Sequence, residues 1–387
     1  MSFTKILREL KKTYLFLRLK EIEHRLTYEK SYKRMVQAME RFKKCDDKKP
    51  RSQINKEMKL CKKFWGCYPL HYYRYNLYRR DKDLSEKELL NYIPEFFFYE
   101  LFLPFYDSKK YKILLEDKII TEQFFRSLAI PQAHTICKLI NNQIYTSELE
   151  GKDFNTIEQE LADRKYQKIF VKPAEGRGGH GIYIFNRNDK GHYLTRDSDI
   201  FNEKFLKKIG TKFDYIVQPG VSHDSEISKI YPHSVNTFRI NTENKNGAVR
   251  ILCPIFFRFG RNGNQVDNFD LGGLLLTIEV DTGKLGDYAT SMQFEYFERH
   301  PDTNFPFRGH KISRWKEVKQ FVVECAKKMP QFTYLGWDIA LTLTGPLVIE
   351  ANLGTGLDGL QIHSGGLREM FGIDDPKYYW KNMGKRI

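Results

Sequence analysis

Lys172 ends the apolar run Ile169–Val171, and Pro173 and the loop Gly-Arg-Gly-Gly-His-Gly at 176–181 follow it. An ammonium at the end of a strand, ahead of a glycine loop, is suited to a polyphosphate. The amine supplies charge, and the loop's N–H groups can fold over phosphate oxygens because Gly176, Gly178, Gly179 and Gly181 permit close approach and positive φ. Near the far end, "GWDIALTLTGPLVIEANLG" carries Asp338, Glu350 and Asn352 on two apolar runs separated by Thr-Gly-Pro. A hairpin turning there sets Asp338 near Glu350, with Asn352 two residues further along the same face. Two carboxylates and an amide oxygen are hard donors suited to Mg²⁺, which also recruits phosphate oxygens.

The order of parts separates the phosphate-binding designs. "GRGGHG" matches Gly-x-Gly-x-x-Gly, but a dinucleotide fold needs a helix after the glycines, and the "IYIF" that follows reads as strand. A protein kinase has its lysine on the strand after the loop, whereas Lys172 precedes it; no His-Arg-Asp sequence occurs, and "DLG" at 270–272 is a faint echo only. Gly-Lys-Ser/Thr is absent, so there is no Walker A loop. Each half alone has a plain reading: a glycine-rich hairpin, or solvated strand carboxylates. Together they are much less expected by chance.

The elements that must hold these groups follow from composition and periodicity. The chain has 387 residues, 41% hydrophobic and 14% aromatic, enough for two or three folded domains. No apolar run spans a bilayer and no secretory signal is read, so the expected location is cytoplasmic. Six cysteines at 45, 61, 67, 137, 253 and 325 form no Cys-x-x-Cys pair and read as reduced thiols. Residues 1–80 hold 23 Lys/Arg and 8 Asp/Glu; of the chain's totals of 64 and 49, 41 of each remain. The whole excess of +15 thus sits at one end. Apolar residues there recur every three or four positions over 3–44, predicting a helix, with a second over 54–64. This end packs its apolar stripe on the body with lysines in water, or it docks on an anionic surface such as the inner face of a membrane. Nucleic acid is disfavoured, since no zinc finger, RRM or recognition helix is visible.

Strand, Lys-Pro, glycine loop, strand is the order in ATP-grasp enzymes. More narrowly the chain resembles the sugar-transfer-associated ATP-grasp family over about 91–370. The segments that carry the likeness are "LEDKIITEQFFRSLAIPQAHT", "IFVKPAEGRGGHGI", "YIVQPGVSHDSEISKIYPHSVNTFRI", "VDNFDLGGLLLTIEVDTGKLG" and "GWDIALTLTGPLVIEANLGTGLDG". The resemblance implies an α/β (α+β) ATP-grasp fold of two antiparallel-rich subdomains clamping ATP. A basic helical region at 1–90 would precede a catalytic domain at 91–387, with a lid at about 126–220 and a metal-binding core at about 230–370. Its cofactors would be ATP and Mg²⁺ (or Mn²⁺). Lys118 and Lys172 would be the phosphate-binding lysines, and Gln218 with the backbone near Val221 would meet adenine. Asp224 or Glu226 would reach the ribose. Arg239 and Arg258 would act at the reacting phosphoryl, and Asp338, Glu350 and Asn352 would hold the metal. Amino-acid ligases carry an arginine two residues before the metal aspartate; Gly336 stands there instead, leaving the positive charge to Arg239 or Arg258. Asn268, Gly272 and Gly273 would border the site, and His363 reads as structural.

The chemistry so implied is carboxylate activation as an acyl phosphate, then displacement by an amine. Fixed positive charge and positioning would carry it, with no protein nucleophile required. The family context points to small-molecule carboxylate and amine or glycan substrates in polysaccharide or capsule biosynthesis. Two alternatives stand beside it: a small-molecule or sugar kinase using a hydroxyl acceptor, and a non-catalytic membrane-associated scaffold of glycan assembly.

Overall fold

The protein was described from a computed structural model covering residues 14–107, 109–176, 181–354 and 356–382. Residues 3–13 of the first predicted helix, and Gly178 and Gly179, lie outside these ranges. The chain forms two compact units. One joins the described residues up to Asp107 with those from Gly356 onward; the other runs from Lys109 through Gly354.

The first unit is helical. The stretch predicted as one helix is two, Tyr14–Ser31 and Lys33–Lys44, broken at Tyr32, whose backbone is extended. Tyr32 packs beside a small core of Met35, Ala38 and Leu70, so the break turns the second helix inward. The next helix, Arg51–Trp65, begins after Pro50 and stops at Gly66, φ +74. Glycine is required there twice over: the backbone is left-handed, and a Cβ would meet Trp380 Nε1 at 2.7 Å. The C-terminal segment closes this unit. Asp358, buried, accepts from Arg34 at 2.5 Å and from Arg74 and the Tyr75 hydroxyl at 3.2 Å. Gln361 exchanges hydrogen bonds with the Ile93 backbone, and Trp380 Nε1 donates to the Trp65 carbonyl at 2.8 Å.

The second unit contains two antiparallel sheets, which is the α+β architecture expected. The first has β1 (Cys137–Ile140), β2 (Gln143–Tyr145), β3 (Lys168–Pro173), β4 (Tyr183–Arg187), β5 (Tyr193–Leu194) and β6 (Tyr215–Pro219), in the order β2-β1-β6-β3-β4-β5. The second has β7 (Thr237–Lys245), β8 (Ala248–Phe259), β9 (Leu274–Ile278), β10 (Leu285–Thr290), β11 (Tyr296–Phe297), β12 (Tyr334–Thr342) and β13 (Gly345–Leu353), in the order β11-β10-β9-β8-β7-β12-β13. Alternation assigns the faces. Phe238, Ile240, Trp337 and Ile339 point into a core completed by Val318 and Val322 of the Trp315–Lys327 helix. Trp337 Nε1 finds Thr242 Oγ1 at 2.9 Å, so its buried donor is satisfied. Arg239 and Asp338 between them, and Asn241 beyond Ile240, stand on the opposite face. Among the described residues no helix is long and apolar enough to cross a membrane.

Candidate active site

The polar face of the larger sheet is built by register. Across β7, β12 and β13, Arg239 pairs with Asp338 and Asp338 with Glu350. The next row on that face is Asn241, Gly336 and Asn352. The three oxygen-donor residues read from the sequence therefore occupy adjacent rows of one hairpin. Among the described residues no group of three or more His, Cys, Asp and Glu is assembled for a metal, so the donor set is two carboxylates and an amide. That chemistry fits Mg²⁺.

Asp338 is already engaged. Arg239 donates to it through two nitrogens, Nε to Oδ1 at 2.6 Å and Nη2 to Oδ2 at 2.9 Å, the paired geometry that a planar guanidinium gives. Arg258 Nη2 lies 3.2 Å from Asp338 Oδ2. Arg258 is held in turn by Asp267 at 3.1 Å, and Thr237 Oγ1 donates to that carboxylate. Burial raises the Asp267 carboxyl above its ordinary range, against the lowering charge of Arg258. Asp267 was missed in the sequence. Its only signal there is its place beside Asn268 in "VDNFDLGG".

Gly336 is explained by its neighbours. A Cβ there would lie 3.1 Å from Asn241 Oδ1 and 3.6 Å from Arg239 Nη1. The space next to the aspartate is thus filled from β7, and the guanidinium arrives across the sheet, not along β12. Asn241 is the second residue the sequence did not flag. It is buried, and neither atom of its carboxamide has a partner among the described residues.

The smaller sheet, with the helix tied to the end of β3, delivers the lysines. Asp117 caps the Lys118–Ser127 helix, accepting from Ile119 and Ile120 N–H at 2.8 and 2.9 Å. The Lys118 N–H donates to the Ala174 carbonyl at 2.8 Å, which ties the helix start to the end of β3. From there Lys118 Nζ reaches the Gly176 carbonyl at 3.0 Å. Lys172 Nζ donates to Gln218 Oε1 at 3.0 Å across the β3–β6 pair. Burial pushes the Lys172 amine down to about 8, with Glu350 acting to raise it and Lys118 to lower it. Burial likewise lowers Lys118, opposed by Glu350. The two lysines and Glu350 therefore share one electrostatic neighbourhood, although they come from three segments. Gly176 and Gly181, both at positive φ, flank the loop.

Val221 is half-buried just after β6, beyond Gly220, whose N–H donates to Lys168. Asp224 caps the short Ser225–Ile230 helix and pairs with Arg314 at 3.3 Å. Glu226 accepts from Ser313 and lies 2.9 Å from His310. Both carboxylates are thus committed within the unit. Gly273 admits no side chain, since a Cβ would approach the Asp267 carbonyl to 2.4 Å.

Three solved structures illustrate the distant likenesses. N5-carboxyaminoimidazole synthetase from Staphylococcus aureus, complexed with ADP, is 11% identical with a TM-score of 0.37, over 67% of this chain and 51% of that one. D-alanyl-alanine synthetase A from Vibrio cholerae O1 is 14% identical with a TM-score of 0.38, over 70% and 65%. D-alanine–D-alanine ligase from Bacillus anthracis is 15% identical with a TM-score of 0.37, over 70% of each. The chain spans about half the length of the first of these. No curated protein sequence matches it. The sugar-transfer-associated ATP-grasp family matches residues 98–371, most of the chain and every segment of the site just described. The chain belongs to the sugar-transfer-associated ATP-grasp family.

Proposed function

We propose that this protein is an ATP- and Mg²⁺-dependent ligase that joins a carboxylate to an amine, with ADP and phosphate as the other products. The substrates proposed are an amino acid or similar small unit and a uronic acid or amino sugar of a surface polysaccharide. The observation that carries the reading is the row Arg239, Asp338 and Glu350 across three strands, with Arg258 3.2 Å from Asp338 and the charge of Glu350 acting on both Lys118 and Lys172. ATP would supply the phosphoryl group that turns the carboxylate into an acyl phosphate, and Mg²⁺ would offset the charge on its oxygens. Lys118 and Lys172 would hold phosphate oxygens, with the loop from Gly176 to Gly181 over them. Glu350 and Asn352 would hold the metal, with Asp338 shared between it and the two guanidiniums. Arg239 and Arg258, fixed in advance by Asp338 and Asp267, would set positive charge where the phosphoryl transfers. Preorganised charge of this kind costs no rearrangement at the moment of reaction. The adenine would lie near Gln218 and Val221.

Hydroxylamine trapping tests the reaction class. Hydroxamate formed from ATP and a carboxylate substrate supports the ligase. A stable phosphorylated sugar, with no hydroxamate, would make it a kinase. Calorimetry with ATP and Mg²⁺ tests the site itself: heat is expected for the wild type and lost in Lys172→Ala and Glu350→Ala. No heat with the wild type would leave a scaffold.

A further inference from the structure

The Tyr14–Ser31 helix carries apolar residues on two sides, and among the described residues one side is packed and the other is left in water. Leu17 is buried against the helical unit, and Glu21 on the same side accepts the Tyr68 N–H at 2.9 Å. Leu15, Leu19, Ile22 and Leu26 face away, with 67%, 58%, 51% and 55% of their surface exposed. Their spacing of four, three and four places them in one row down the helix. Single exposed leucines need no explanation, but four in register form a stripe.

One edge of that stripe is basic, and the exposed Glu23 lies along the other. Arg18 and Arg25 lie along one side, their guanidiniums resting over Trp380 at 4.3 Å and Tyr68 at 3.8 Å. Arg18 also donates to the Gly66 carbonyl, next to the exposed Lys62 and Lys63 that end the neighbouring helix. The stripe therefore runs through the segment that holds all of the chain's excess charge, +15 within residues 1–80.

We propose that this face docks the protein on an anionic lipid bilayer, the four side chains entering the headgroup boundary and the surrounding Lys and Arg meeting acidic phospholipids. A free polyanion would satisfy the charges and leave the apolar row in water. A second copy would bring two segments of +15 together, along a row shorter than two heptads, where coiled coils need three or four. The inference is independent of the reaction catalysed at the nucleotide site.

Co-sedimentation of the full-length protein with vesicles tests it. Binding is expected to vesicles containing phosphatidylglycerol and not to phosphatidylcholine alone, and it should weaken about tenfold between low and high salt. Leu19→Glu with Ile22→Glu should weaken it by about tenfold or more, with an unchanged circular dichroism spectrum. Should that pair disturb folding, Ile22→Trp serves instead: the fluorescence it adds over wild type should shift to the blue on adding anionic vesicles. No binding to anionic vesicles overturns the proposal, as does binding by the charged variant equal to wild type, or an unshifted emission from Ile22→Trp. A wild-type dimer that the charged variant turns into monomers would assign the face to a second copy.

Discussion

Replacing Lys172 by methionine should make the protein more stable while removing its nucleotide binding. The amine's value falls from 10.5 to about 8, chiefly by burial, with Glu350 opposing and Lys118 assisting. Between those two values the unfolded chain holds a proton that the folded chain has released, so the stability of the wild type rises with pH across that window. Below about 8 both forms are charged, and the burial cost is fully present. At about 1.4 kcal/mol for each pH unit, the cost has an upper limit of about 3 kcal/mol, because the side chain keeps part of its exposure to water. Methionine removes that cost and also the hydrogen bond to Gln218, which contributes about 1 kcal/mol. A net gain of about 1–2 kcal/mol at neutral pH is expected, shrinking towards zero or reversing as the pH passes 10.5. Urea denaturation of variant and wild type at neutral and alkaline pH reads the difference, and calorimetry with ATP and Mg²⁺ reads the loss of binding. A variant less stable than wild type at neutral pH, or an advantage unchanged at alkaline pH, would refute the account of Lys172 as a cation held against its solvation.

Asp338→Asn and Glu350→Gln should separate two carboxylates that look alike in the sequence. Asp338→Asn leaves Arg239 and Arg258 without their shared anion and should destabilise the nucleotide-free protein by about 3–5 kcal/mol in urea. Glu350→Gln should change that stability by less than about 1 kcal/mol yet weaken binding of ATP and Mg²⁺ about a hundredfold by calorimetry. Equal urea midpoints for the two variants would contradict the assignment of Asp338 as the anchor of the arginines. In the helical unit, Gly366→Ala would bring a Cβ within 2.4 Å of the Asn91 carbonyl carbon and 2.6 Å of the Tyr92 nitrogen. Backbone must move to admit it, so a loss of about 1–3 kcal/mol is expected in thermal unfolding.

The local parts of the site were legible because they are written in short segments. The hairpin of β12 and β13 announces itself by two apolar runs around Thr-Gly-Pro, which brings Asp338 near Glu350, but their direct pairing depends on a shift of register between Asp338 and Ile339 that the sequence does not show. Lys172 was visible as the last charged residue of an apolar strand, and Gln218 as part of "YIVQPGV". What stayed hidden depends on pairing between distant strands. That Arg239 lies across from Asp338 requires knowing that β7 is the neighbour of β12, 99 residues away. Asp267 is invisible for the same reason, since nothing near it in the chain says that Arg258 and Thr237 close around it. The double-faced helix was half legible. Its period predicted one apolar stripe through Leu17, Ile22 and Leu26; Leu17 is buried, but Ile22 and Leu26 stand in water in a row with Leu15 and Leu19, a division that periodicity alone does not give.

The helical unit is closed by residues that the ribosome makes long after its first helices. Arg34 and Arg74 receive their anion, Asp358, from 324 and 284 positions downstream, and the Trp65 carbonyl receives its donor from Trp380. At about 5–20 residues per second, those N-terminal helices wait on the order of half a minute for their partners after emerging. During that interval the continuous stretch from Lys109 through Gly354, whose strands all pair among themselves, can complete its sheets. Trimming the residues from Gly356 onward would take the anion from Arg34 and Arg74 and the donor from the Trp65 carbonyl, at the beginning of the protein, while leaving every strand pair of its middle in place.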